Sequence, residues 1–65
     1  MYLKLNERYG GAVLVNMNNV QHITADTGGT ARLWFSADDA DTMLVHERFD
    51  EVEQMIEREV VAMGW

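Results

Sequence analysis

The sequence predicts an α+β domain, a small antiparallel sheet of about five strands followed by one C-terminal helix, assembled as an oligomer. Three observations carry this. Short runs between Tyr2 and His46 alternate apolar with polar residues, the period of two that belongs to strands. From Phe49 the apolar spacing changes to three and four, through Phe49, Val52, Met55, Ile56, Val60 and Met63, with Asp50, Glu51, Glu53, Glu57 and Arg58 between them. Finally, 48% of only 65 residues are hydrophobic and none is cysteine. A chain this short cannot cover that much apolar surface alone, and without disulfides self-association is the remaining source of stability.

Tyr2 to Glu7 sets Leu3 and Leu5 against Tyr2, Lys4 and Asn6, a half-buried first strand, and Arg8-Tyr9-Gly10-Gly11 supplies the turn. Ala12-Val13-Leu14-Val15 is apolar on both faces, so it is expected at the centre of the sheet, flanked on each side and covered by the helix. Asn16-Met17-Asn18-Asn19 is rich in side chains that bond their own backbone and predicts a tight helical turn. A third strand runs from Val20 to Ala25. Asp26-Thr27-Gly28-Gly29 is a hairpin signal, after which Thr30 to Phe35 returns with Ala31, Leu33 and Phe35 on one face and Thr30, Arg32 and Trp34 on the other.

Ser36 to Asp41 is a polar turn into a fifth strand, Thr42 to His46, which runs almost without a loop into the helix. Asp50 and Glu51 suit the positive end of the helix dipole, and Gly64 stands where a left-handed C-terminal cap belongs. Arg48 is a poor N-cap, lacking the short oxygen-bearing side chain that would accept the first free amides. One domain therefore spans 1–65, with strands within 2–46 and the helix over 49–63. Beyond the helix-covered face, the sheet presents Trp34, Leu44 and Tyr2, too apolar to be left wet, as a candidate interface.

The net charge of −6 is uneven: residues 1–37 carry three basic and two acidic side chains, residues 38–65 two basic and nine acidic. No basic helix or stripe is present to neutralise several phosphates, which argues against duplex nucleic acid as a partner. No apolar run approaches a membrane span or the core of a signal peptide, so the expectation is a soluble, cytoplasmic protein.

Several motifs carry chemistry in other settings. Asp38, Asp39 and Asp41 offer clustered carboxylates, but the glycine and distal glutamate of a calcium loop are missing. His46 and Glu47 are strand neighbours pointing to opposite faces, so with His22 they give neither a general acid–base set nor a metal site. Asp26-Thr27-Gly28-Gly29-Thr30 lacks the following helix of a phosphate-binding loop. The remaining constellation is Tyr2, Lys4, Arg32 and Trp34. A planar aromatic beside a guanidinium stacks and charge-pairs a nucleotide-like anion, whereas the same residue types also anchor subunit interfaces.

The run Gly11-Ala12-Val13-Leu14-Val15-Asn16, then Val20 and Ile23, a Gly-containing turn, Leu44-Val45-His46-Glu47 and Phe49-Asp50-Glu51-Val52 resembles the small FlbD-type flagellar proteins. Those carry a Val-Asn after the second strand and a Val-x-Glu-Ser-x-x-Glu-Val junction. Arg48 departs from the family's capping Ser, and Ser36 to Asp41 is longer and more acidic than its Gly turn. The resemblance implies a non-enzymatic accessory protein or adaptor. The chain also resembles small phage-encoded proteins that bind host factors or nucleotide immune signals. Together these readings predict a non-enzymatic, homo-oligomeric binding protein of bacterial or phage type, without a cofactor. Its partners are copies of itself and either a small nucleotide-like anion or a host protein.

Overall fold

Strand β1 (Tyr2–Asn6) pairs antiparallel with β2 (Ala12–Asn16), with Leu3 opposite Val15 and Leu5 opposite Val13, so these four side chains share one face. The chain then makes a 3-10 turn, Met17–Asn19, whose first free amide is met as the sequence predicts: Asn16 Oδ1 accepts from the Asn18 N–H at 3.1 Å. Strands β3 (His22–Ala25), β4 (Thr30–Trp34) and β5 (Thr42–Arg48) form a second antiparallel ladder in that order. Helix α1 (Phe49–Ala62) follows β5 with no intervening residue. The computed structural model describes residues 1–62; Met63 and the expected Gly64 cap lie outside them. No helix among the described residues is long and apolar enough to cross a membrane.

The single five-stranded sheet expected from the pattern is instead two ladders joined at one point. Glu7 bridges Val45, and the Arg8 amide donates to the Leu44 carbonyl at 2.9 Å. One step before that bridge the ladder is replaced by a side chain. The Glu47 carboxylate accepts the Asn6 backbone amide at 3.0 and 3.2 Å and the Asn6 Nδ2 at 2.9 Å, so the amide of Asn6 bonds a carboxylate instead of a strand carbonyl. Through this join the strands run β2-β1-β5-β4-β3, with β2 and β3 at the two edges.

The second strand is therefore not central. Among the described residues it pairs only with β1, Ala12 is exposed and Leu14 is 68% exposed, and the helix packs on β3, β4 and β5. The 3-10 turn is the cause. It carries the chain away from β2, and the Met17 amide returns to the Met1 carbonyl at 2.9 Å, so β3 starts elsewhere and never flanks β2.

Leu3, Leu5, Val15, Ala31, Leu33, Val45 and Val52 form the core, with Met43, Met55, Ile56 and Ile23 half-buried against it. Each fully buried Leu or Val contributes roughly 1.5–3 kcal/mol relative to exposure. In β5 the alternation shows from Val45, which is buried, through exposed His46 and half-buried Glu47 to exposed Arg48, while Thr42, Met43 and Leu44 are all half-buried. Phe49, expected to cover the central strand, is only half-buried; Val52 holds the buried position on the helix.

The weak N-cap is made good by one acceptor from outside the helix and two from its own first turn. The Phe49 amide donates to the Gly29 carbonyl at 2.9 Å, the Arg48 amide to Glu51 Oε1 at 3.2 Å, and the Glu51 amide to Asp50 Oδ1 at 3.1 Å. The Glu51 side chain supplies half of a capping box, Asp50 Oδ1 accepts the Glu51 amide that the missing Ser would have taken, and the turn carbonyl satisfies the Phe49 amide.

Candidate functional site

The alternation that buries Ala31 and Leu33 places Arg32 and Trp34 on the opposite face of β4, away from the helix. Pairing fixes their neighbours. His22 lies opposite Trp34 and Thr24 opposite Arg32 on β3, while Thr42 and Leu44 stand opposite Trp34 and Arg32 on β5.

These side chains form one network. The Trp34 indole stacks on the His22 ring, centroids 5.1 Å apart and planes inclined by 16°, and its Nε1–H donates to Thr24 Oγ1 at 2.9 Å. A half-buried Trp whose only polar group is bonded and whose ring is stacked is held in one orientation. Arg32 donates from Nη1 to Thr42 Oγ1 at 3.2 Å and pairs through Nη2 with Asp26 Oδ1 at 3.4 Å. Its guanidinium carbon lies 6.0 Å from the Trp34 ring centre, the outer limit of a cation–π contact. The Arg32–Asp26 pair is partly exposed and so contributes about 1 kcal/mol or less, but it balances the charge of the face. On its far side Arg32 borders a shallow groove with Glu7, Tyr9 and Leu44.

Tyr2 and Lys4, grouped with Arg32 and Trp34 on sequence grounds, sit elsewhere. They belong to β1 in the other ladder, where Lys4 is opposite Leu14, and line a groove with Leu14, Met55, Arg58 and Glu59. The expected constellation is thus split: β1 joins β5 at its Asn6 end, through the Asn6–Glu47 bonds and the adjoining Glu7–Val45 bridge, and the groove that Tyr2 and Lys4 line is not the one that Arg32 borders. The residues that do join Arg32 and Trp34 are His22, Thr24, Asp26 and Thr42. A signal for the β3 partners exists in the sequence: centring the hairpin on Gly28 pairs Thr24 with Arg32 and His22 with Trp34.

The other motifs are occupied structurally. Gly28 and Gly29 both have φ of 88°, the left-handed region that the hairpin needs. Their carbonyls accept Arg48 Nη1 at 3.1 Å and the Phe49 amide at 2.9 Å, while the Gly29 amide closes the turn on the Asp26 carbonyl at 2.8 Å. That is a hairpin clamped to the helix start. Asp38 spends its carboxylate on the Ala40 amide at 3.0 Å within its own exposed turn. His46 is exposed, His22 is stacked and Glu47 is engaged by Asn6, and among the described residues no three His, Cys, Asp or Glu side chains converge as metal ligands.

Compared with known proteins, the chain matches no family model, no curated protein and no solved structure.

Proposed function

We propose that this protein is a non-enzymatic binding protein that works as an assembly of identical subunits, with the Trp34 face as its working surface. The observation that carries the reading is the His22–Trp34–Arg32 arrangement: a fixed aromatic ledge beside a guanidinium, on the sheet face that the helix leaves uncovered. A rigid, half-buried Trp flanked by Arg is the usual anchor of an interface, and the same ledge offers a stacking platform to the base of a nucleotide-like ligand. Such an anion gains a charge-assisted contact only by taking Arg32 from Asp26.

That pairing with Asp26 favours a second reading of the same face. An electrically balanced aromatic surface suits a protein, and the FlbD-like pattern implies an adaptor that holds one. Sedimentation at micromolar concentration, with calorimetry against cyclic and ADP-ribose-type nucleotides, separates the possibilities. Species heavier than the 7.4 kDa chain that dissociate on Trp34→Ala support the assembly. A 7.4 kDa species alone, with no nucleotide bound, sinks it and leaves the adaptor reading.

A further inference from the structure

Between the Phe49, Val52 and Ile56 side of α1 and the chain at Val20 and Ile23 runs an open cleft of about 470 Å³. This lies within the roughly 300–1,000 Å³ of pockets that accept ligands or several side chains. Two features define what fits. One wall is a sheet edge: β3 pairs with β4 on one side only, so its other backbone edge meets no strand among the described residues. The opposite rim carries Glu53 and Glu57, and no Lys or Arg lines the cleft.

We propose that this cleft docks an extended segment of a partner protein, added as a strand to the free edge of β3. Alternate side chains of the segment enter between β3 and α1, and two of them are Lys or Arg facing Glu53 and Glu57. Strand addition follows from the unpaired edge, whose backbone groups give affinity while the cleft gives selectivity. The spacing is matched as well. Glu53 and Glu57 are about 6 Å apart along the helix axis, close to the ~6.7 Å between same-face residues i and i+2 of a strand. The recognised pattern is therefore basic-x-basic, followed by apolar residues on the same face.

A second copy of the chain does not supply it. The five Lys and Arg of the sequence, Lys4, Arg8, Arg32, Arg48 and Arg58, include no two that stand two positions apart, so no strand of a second copy carries the basic-x-basic pattern. The chain's own charge of −6 adds repulsion at an acidic rim. The cleft shares only His22 with the Trp34 face, so the two proposals stand or fall separately.

The test is a titration of ¹⁵N-labelled full chain with the synthetic peptide Lys-Thr-Lys-Thr-Val-Thr-Ile, followed by amide chemical shifts. Saturable shifts confined to Gln21–Ala25 and Phe49–Glu57 are expected. Glu53→Lys and Glu57→Lys, both at exposed positions, should keep the folded spectrum and each weaken binding by about tenfold. The same peptide with Glu for Lys should not bind. No shifts at millimolar peptide, shifts centred on Trp34 or β2, equal binding of the acidic peptide, or indifference to both charge reversals would each overturn the proposal. So would concentration-dependent shifts at the cleft without peptide, which would make a second copy its occupant.

Discussion

The Phe49 amide donates to the Gly29 carbonyl at 2.9 Å, so a turn twenty residues upstream in the chain caps the helix. The side chain of Arg48 completes the clamp on the Gly28 carbonyl at 3.1 Å. Hairpin and helix start therefore form one unit, and the helix dipole meets a carbonyl held by two left-handed glycines.

Substituting those glycines tests the clamp. Both have φ of 88°, where a Cβ costs roughly 1–2 kcal/mol, about 4–8 °C in Tm per kcal/mol for a chain this size. At Gly28 the new Cβ meets open space, whereas at Gly29 it would stand 2.6 Å from Arg48 Nη2 and must displace the guanidinium. Gly29→Ala is expected to lower Tm more than Gly28→Ala in thermal melts followed by circular dichroism. Equal losses would mean that the placement of Arg48 contributes nothing.

Glu47 is expected to hold the two ladders together. Glu47→Ala leaves the Asn6 amide and Nδ2 without their acceptor, a loss of about 1–2 kcal/mol at a half-buried carboxylate. Hydrogen exchange at the Asn6 amide should quicken while Leu33 stays protected. Unchanged exchange at Asn6 would remove Glu47 from the join.

On the open face, Asp26→Asn should free Arg32 without unfolding the chain, since a partly exposed pair contributes about 1 kcal/mol or less. If the face takes an anion, calorimetry should record tighter nucleotide binding in this variant and none in Arg32→Ala. Identical titrations for the variant and the wild type would show that the guanidinium makes no ligand contact.

The helix should be tied to the sheet mainly by Val52, which is fully buried. Val52→Ala should cost about 2 kcal/mol from lost transfer energy and the cavity left behind, whereas Val61→Ala, at a residue 72% exposed, should stay within about 0.5 kcal/mol. Urea unfolding compares them directly. A Val52→Ala midpoint equal to that of Val61→Ala would show that the core closes without the helix.

What the sequence determined by itself is what acts over a few residues. Alternation set the facing of Leu3 and Leu5 and placed Arg32 and Trp34 on the face away from Leu33; Asn16 signalled the 3-10 turn; Gly28-Gly29 signalled a turn needing positive φ; the three-four spacing from Phe49 set the helix and turned Val52, with Met55 and Ile56 beside it, toward the core, while Val60 stays exposed. Tertiary structure alone decided which strands are neighbours. An apolar run such as Ala12–Val15 satisfies the pattern of a central strand and of an edge strand equally, and the difference depends on where the chain goes after Met17. The Glu47–Asn6 join spans 41 residues and the Gly29 cap of Phe49 spans twenty, beyond the reach of local propensity. For the same reason Arg32 and Trp34 were legible as a pair from one strand, while the separation of Tyr2 and Lys4 from them was not: side chains on different strands come together only where backbone pairing and packing bring those strands side by side.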